Sequence, residues 1–349
     1  MKAILRKTNT TAGKAKISTL KIGMTYDIKS GYIARPGDPP DASAEFDRPE
    51  TINMISESIQ SLGFEAVKIG NSRDLLNKIN NLDVDIVFNI AEGVTGRNRE
   101  SEVPVILEMM GMPFIGSDGL SLALGLDKVM AKKVFIAENI PTPRFFTIDD
   151  AKANLYQLEN LNFPLIVKPQ YEGSSKGMSE SSKVDNIEQL RKQISYIVKT
   201  YKQPAIIEEF ISGSEYTVAI IGNKNPEVFH PVQIEIEGEL DLGDKFYTFE
   251  RVSRDAPLRY ICNENMDKTL KDKLMVLALK TYRAVDCRDF GRVDFRVDKK
   301  GNPYVLEINP LPALSSADVF MCLADYLKIP YKEMIRRILD AAFQRYGMI

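Results

Sequence analysis

Tryptophan is absent from this 349-residue chain, histidine occurs once and cysteine three times. His230 lies in an apolar, strand-like run, and one imidazole cannot build a typical His-based metal site. Placed in that apolar run, the lone histidine also argues against Ser-His-Asp chemistry. Cys262, Cys287 and Cys322 are odd in number and have no CxxC spacing. That argues against a structural disulfide or zinc site and for a reducing cytoplasm, with the thiols acting as small hydrophobes in or near cores. Neither sign of charge is in marked excess. Lys+Arg number 46 and Asp+Glu 48, so nothing draws the whole chain toward nucleic acid or an anionic membrane. No apolar stretch approaches the length needed to span a bilayer. The first twenty residues carry Lys2, Arg6, Lys7, Lys14 and Lys16, no acid and no apolar core before a cleavage site. Residues 1–20 therefore read as a cytosolic extension, with a presequence or an RNA-binding arm as the alternatives.

What is present is enough apolar material, 44% of residues, for two or three packed units. Residues 21–126 alternate strand and helix signals. Lys21–Asp27 reads as a strand, 51–62 as a helix ending at Gly63, and Asp83–Asn89 as a short buried strand. A helix from Pro104 to Met110 and a brief strand from Pro113 to Ile115 follow. This rhythm predicts a parallel sheet in an α/β unit. Residues 127–212 open with a helix that stops before Pro141, then place strands 165–168 and 205–210 around a glycine-rich loop and a helix over 187–201. Residues 213–349 carry strands 216–221, 228–236, 292–297 and 304–308, with helices over 268–285 and 331–343.

Three motifs carry the chemistry. In VKPQYEGSSKG (Val167–Gly177) Lys168 ends a hydrophobic strand. A loop opening at Glu172, itself a nucleotide-contact candidate, follows, in which Gly173, Ser174, Ser175 and Gly177 let backbone N–H groups close over phosphate oxygens. The lysine precedes the glycines, so this is not a P-loop, and a Gly/Ser surface turn beside a solvated lysine would look similar. In IIEEFISGSEYTV (Ile206–Val218) backbone at a strand end can read an adenine edge and Glu215 can accept from ribose hydroxyls. An ordinary solvated Glu cluster is the plain alternative. In GRVDFRVD (Gly291–Asp298) and YVLEINP (Tyr304–Pro310), period-two alternation puts Arg292 and Asp294 on one face of a strand. It puts Glu307 and Asn309 on one face of the next. A hairpin through 299–301 brings the faces together, and three hard oxygen ligands suit Mg²⁺, with a salt-bridged hairpin as the bland alternative.

Together these motifs resemble the ATP-grasp superfamily and, within it, the D-alanine–D-alanine ligase family. GFEAVKIG and MMGMPFIGSDGLSLALGLDKVMAKK (Met109–Lys133) add to the resemblance, which runs from about Lys21 to the C-terminus. It implies an ATP-grasp fold of mixed α/β class: an N-terminal Rossmann-like parallel-sheet domain, a central lid subdomain and a C-terminal ATP/Mg-binding domain. It implies ATP and Mg²⁺ (or Mn²⁺) as cofactors and an ADP-forming union of an amino-acid-like carboxylate with an amine through an acyl phosphate. Small amino acids or amines would be the partners, with no nucleic acid or membrane, in a cytoplasmic enzyme that the family's habit makes a homodimer. Lys128 and Lys168 look like the phosphate lysines. Glu208, the backbone at Glu209, Phe210 and Ile211, Glu215 and Leu306 look like the adenosine contacts. Asp294, Glu307 and Asn309 look like the metal ligands. Arg292, with backbone N–H near Ala313, looks like the oxyanion donor set. Ser174 sits where the family has a serine near the first substrate, and Glu45 matches the glutamate that orients the first amino group, with Glu50 as a rival.

Departures fall at substrate-reading positions. NIAEGVTGRNRES (Asn89–Ser101) replaces the family's histidine-glycine loop. YTFERVSRD (Tyr247–Asp255) lacks the family's closing lysine and tyrosine after Tyr247, although Arg251 and Arg254 are near. Ala313 replaces a turn glycine, and in the run 316–318 Ser316 precedes Asp318, which falls where a serine holds the incoming D-alanine carboxylate. An acid there repels a carboxylate and attracts a cation. The expectation is an acceptor other than simple D-alanine; authentic D-alanine–D-alanine ligation and a non-catalytic ATP sensor are the rivals.

Overall fold

In a computed structural model of the chain the described residues are 19–150, 152, 162–253 and 258–348. Most of the N-terminal extension, and Arg254, lie outside them.

Four strands, β1 (Lys21–Tyr26), β2 (Glu65–Gly70), β3 (Ile86–Ile90) and β4 (Phe114–Ile115), form a parallel sheet in the order β2-β1-β3-β4. Every residue of β3 is buried, as expected of a strand covered on both faces. The sheet is flanked by α1 (Pro49–Ser61), α2 (Ser72–Lys78), α3 (Glu102–Met109) and α4 (Gly119–Leu126). Proline at the first position starts α1, and Ile52, Ile55 and Ile59 bury its apolar stripe. An Asn71/Asp74 capping box starts α2.

Helix α5 (Lys128–Ala137) leads to the second sheet, β5 (Phe145–Ile148), β6 (Leu165–Pro169), β7 (Lys183–Val184) and β8 (Ala205–Glu209), antiparallel in the order β5-β8-β6-β7 and covered by α6 (Ile187–Tyr201). This unit has a core of its own, with Leu165, Val167, Leu190, Ile194, Ile197 and Ile207 at its centre.

The third sheet runs β12-β11-β9-β13-β14, with β10 on the side of β9. Its strands are β9 (Gly213–Ile221), β10 (Glu227–Val228), β11 (Val232–Ile236), β12 (Leu258–Ile261), β13 (Phe290–Asp298) and β14 (Pro303–Asn309). With it go α7 (Phe249–Ser253), α8 (Lys268–Ala284), α9 (Val319–Leu327) and α10 (Tyr331–Tyr346). The strand expected over 228–236 is two strands, because Pro231 has no N–H to give a ladder. First and third sheets share one core: Phe88 packs edge-on to Phe290 at 6.0 Å, Phe290 to Phe320 at 6.3 Å, and Phe64 to Phe343 at 5.5 Å. Helix α5 joins the third sheet through Phe135 and Ala131. The small antiparallel unit thus stands over a larger fused body, and the pocket lies between them.

Candidate active site

The β13–β14 hairpin sets the pocket floor. Arg292 pairs with Asn309 and Asp294 with Glu307 across the ladder, so alternation turns all four side chains to one face. A register shift after Asp294 makes Leu306 the extra residue of a bulge, and it too lines the pocket. Arg292 donates from Nε and Nη2 to the two Asp294 oxygens, each at 3.0 Å, and Asn309 Nδ2 donates to Asp294 Oδ2 at 2.9 Å. Glu307 Oε2 lies 2.9 Å from Lys128 Nζ, which also donates to the Glu172 carbonyl at 2.7 Å. On the neighbouring strand Thr217 sits opposite Asp294, its buried hydroxyl without a partner among the described residues.

The roof is the loop between β6 and β7. Ser174 and Ser175 both hold positive φ, 45° and 56°, a conformation that costs a non-glycine residue on the order of 1 kcal/mol. The N–H groups of Gly173, Lys176, Gly177 and Met178 donate to Glu45 Oε1, the Gly173 carbonyl, Asp41 Oδ2 and the Ser175 carbonyl. Those of Ser174 and Ser175 have no partner among the described residues, and both serines line the pocket. Consecutive free N–H groups in a turn form an anion-binding concavity, which fits a phosphate chain.

Lys168 enters from the end of β6. Its Nζ lies 2.7 Å from Glu208 Oε2, and Lys132 Nζ lies 2.7 Å from the other oxygen; the Glu208 and Lys132 side chains are each 1% exposed. Neither Glu208 oxygen has a hydrogen bond of good geometry among the described residues, so both contacts are charge pairs. Burial pushes the Glu208 carboxyl up, yet Lys132 and Lys168 outweigh it and hold it at about 2. Burial, with the like charge of Lys168 beside it, lowers Lys132 despite Glu208; the firmly ionised partner of the pair is the carboxylate, set between two ammoniums.

Several expected contacts are placed differently. Glu208, expected among the adenosine contacts, turns both its oxygens to lysines, and none of residues 208–211 lines the pocket. Glu209 pairs with Arg144, Phe210 packs on Phe246 and under the Arg296 guanidinium, and the Ile211 carbonyl accepts from Arg296 Nε at 2.9 Å. Glu215 does line the pocket, with Arg296 Nη1 3.1 Å from one oxygen. Ser316 is exposed and away from the pocket; its neighbour Ser315 donates from N–H and hydroxyl to Oδ2 of the pocket-lining Asp318. Arg251 is drawn off to Glu180, 2.7 Å away, and does not line the pocket. Cys262 and Cys322 are half-buried neighbours, their sulfurs 3.6 Å apart, and pack against the core shared by the first and third sheets, as expected of thiols near a core.

Glu45, Ala313 and Asp318 line the pocket, whereas Glu50 is exposed on the first turn of α1. Glu45 receives Arg99 at 2.6 Å and Lys176 at 3.1 Å. Burial raises its carboxyl, but Arg99 and then Lys176 bring it below the usual range. Residues that motif reading passed over are Arg99, Lys132, Lys176, Asp47, Glu92, Glu100, Tyr247 and Tyr260. For Lys176 a signal existed: it follows Glu172 by four in the same loop and pairs with it. Arg99, Glu92 and Glu100 lie in the loop that departs from the family, where no motif guides the eye.

Solved structures share this architecture. A D-alanine–D-alanine ligase from Bacillus anthracis complexed with ATP matches with a TM-score of 0.74 at 24% identity, over 95% of this chain and 99% of that one. The VanG D-Ala:D-Ser ligase from Enterococcus faecalis matches with a TM-score of 0.71 at 21% identity, over 93% and 100%. At such identities the likeness shows the fold, and the fold is that of the ATP-grasp class. The family described as D-ala D-ala ligase C-terminus matches residues 134–340. A D-alanine–D-alanine ligase of Carboxydothermus hydrogenoformans is 30% identical over 296 residues, 83% of this chain and 91% of that protein. The uncharacterized protein y4sG of Sinorhizobium fredii is 32% identical over 326 residues, 91% and 95%. The chain belongs to the D-alanine–D-alanine ligase family and is an ATP-dependent carboxylate–amine ligase that forms a peptide bond.

Proposed function

We propose that the chain activates the carboxylate of an amino acid or amino-acid-like donor with ATP and joins it, as an acyl phosphate, to an amine other than simple D-alanine. The observation that supports this is one pocket lined by Lys128, Lys168, Arg292, Asp294, Glu307 and Asn309 beneath the Ser174 and Ser175 N–H groups. A pure nucleotide sensor has no need of Arg292 as an oxyanion donor.

The residues fit a magnesium site of the kind completed by substrate phosphates. Two carboxylates and an amide share one face of the hairpin; Glu307 pairs with Lys128, and Asp294 with Arg292 and the Asn309 amide N–H, so the two carboxylates do not pair with other acids. No cluster of three or more His, Cys, Asp or Glu that could hold a metal occurs among the described residues, so the protein does not supply a full cage. Magnesium, when bound by Asp294, Glu307 and Asn309, would offset phosphate charge. Lys128 and Lys168 hold the phosphates with the loop above. Arg292 and the backbone near Ala313 meet the negative charge that grows on the carbonyl oxygen as the amine adds. Glu45, positioned by Arg99, Lys176 and the Gly173 N–H, faces the donor's amino group. Glu215 faces the nucleotide ribose, and Leu306 its base.

The name of the Carboxydothermus relative favours a second reading, D-alanine–D-alanine ligation itself. Asp318 weighs against it, since no Arg or Lys pairs with it among the described residues. We further place the protein in the cytoplasm; no described helix is long and apolar enough to cross a membrane. The exposed Val105, Met109 and Leu120 of α3 and α4 support a homodimer through that face. The test is phosphate release from Mg-ATP over amino acids and amines, singly and in pairs, with mass spectrometry of the products. An amide other than the D-alanine dipeptide supports the proposal; the dipeptide alone selects the second reading.

A further inference from the structure

Resting on the ligase reading, we propose that the amine acceptor bears a second positive charge, as a diamine or basic amino acid does, seated along Asp47, Glu92, Glu100 and Asp318. All four line the same pocket as Arg292 and Lys128. They form a connected run. Asp47 feels Asp318, and Glu92 feels Glu100, Glu45 and Asp47. The cations at this end are already engaged by Glu45 and Glu172: Arg99 pairs with both and donates to the Tyr171 carbonyl, and Lys176 pairs with both. Asp47, Glu92, Glu100 and Asp318 have no basic group within ion-pair distance among the described residues.

Two features mark this as a binding wall rather than a solvated acidic face. Glu100 is only 8% exposed, yet lines the pocket with neither hydrogen-bond partner nor ion pair among the described residues. Asp318 stands at the N-cap of α9 but does not cap it. Ser315 takes its Oδ2, which holds the carboxylate at the wall and leaves Oδ1 without a partner among the described residues. Buried like charges are sustained only when a cation or protons compensate them. Burial and the neighbouring acids push Asp47 up to about 7, and burial, with Glu45 and Glu172 near, pushes Glu100 up to about 8 against the opposing pull of Arg99 and Lys128, so protons do this work when no cation is bound. A metal ion is a poor match, because the described acids do not converge as three or more on one point. A chain of carboxylates along a wall suits an extended organic cation, with Tyr247 and Tyr260 beside its methylenes.

In the bond-forming step the acceptor's neutral nitrogen attacks the acyl-phosphate carbonyl carbon. The C–N bond forms, the C–O bond to phosphorus breaks, phosphate leaves with the electron pair, and the nitrogen loses its extra proton to water. The second ammonium takes no part and only holds the acceptor in place.

The test compares acceptors matched in length, with the full chain, Mg-ATP and D-alanine as donor: 1,4-diaminobutane against butylamine, and D-ornithine against D-norvaline. The expected kcat/KM ratio favours the charged member by about ten-fold or more, as one extra ion pair in a partly buried site allows. Asp318→Asn and Glu100→Gln should each lower that ratio several-fold. Equal use of charged and neutral acceptors, or ratios indifferent to both variants, overturns the inference while any ADP-forming amide synthesis keeps the ligase reading. If no acceptor turns over, calorimetry on the Mg-ATP-loaded protein decides. Binding of 1,4-diaminobutane no tighter than butylamine overturns the inference equally.

Discussion

The two ends of the pocket treat their carboxylates in opposite ways. At the nucleotide end each acid meets a base: Asp294 with Arg292, Glu307 with Lys128, Glu215 with Arg296, and Glu208 with both Lys132 and Lys168. At the acceptor end Asp47, Glu92, Glu100 and Asp318 face the pocket without such partners among the described residues. A buried ion pair holds a shape whether or not ligand is present, because its charges are balanced within the protein. An unpaired buried acid is a standing penalty that a suitable ligand relieves. The first end is therefore built as a fixed frame, and the second as a site whose energy depends on what enters it.

The largest effect expected falls on the frame. Glu307→Gln should lower kcat by about a thousand-fold, as loss of a metal-holding or charge-stabilising group does, with the melting temperature little changed. Activity within a few-fold of the parent would remove Glu307 from the metal-ligand set. Next comes Lys132→Met, which leaves Glu208 buried with Lys168 alone. Breaking a buried pair in this way costs about 3–5 kcal/mol, readable as a lowered denaturant midpoint. Adding Glu208→Gln to Lys132→Met should return part of the loss. If the double variant is no better than the single one, Glu208 is not held by charge.

The frame was also the legible half. Alternation along 291–298 and 304–310 fixes which side chains share a face, so Arg292, Asp294, Glu307 and Asn309 could be grouped before any coordinates. The parallel sheet followed from the strand and helix rhythm of residues 21–126. The pairing of Lys132 with Glu208 was not legible, since it joins a helix to a strand 76 residues away with no local pattern to announce it. Nor was the acceptor wall. Asp47, Glu92, Glu100 and Asp318 come from three separate segments that only the tertiary fold brings together. Pro231 shows the opposite failure: a local rule was available and the apolar run around it masked the break.

Because their charges are handled differently, the two ends should respond to pH with opposite signs. Glu208 falls from an ordinary 4.5 to about 2 on folding, so its contribution is present above pH 4.5 and is lost as pH falls toward 2. Glu100 rises from 4.5 to about 8, so the folded state holds a proton that the unfolded chain has given up. Its contribution is full below pH 4.5 and is lost as pH rises through 8. Glutamine imitates the protonated form at every pH. Glu100→Gln should therefore leave the melting temperature of the ligand-free protein unchanged near pH 4.5 and raise it by a few degrees at pH 8. Saturating 1,4-diaminobutane should shrink that gap, since an ammonium beside Glu100 removes the penalty that glutamine avoids. A gap that stays constant from pH 4.5 to 8 would mean that Glu100 is solvated and charged like any surface acid, and the contrast between the two ends would reduce to the frame alone.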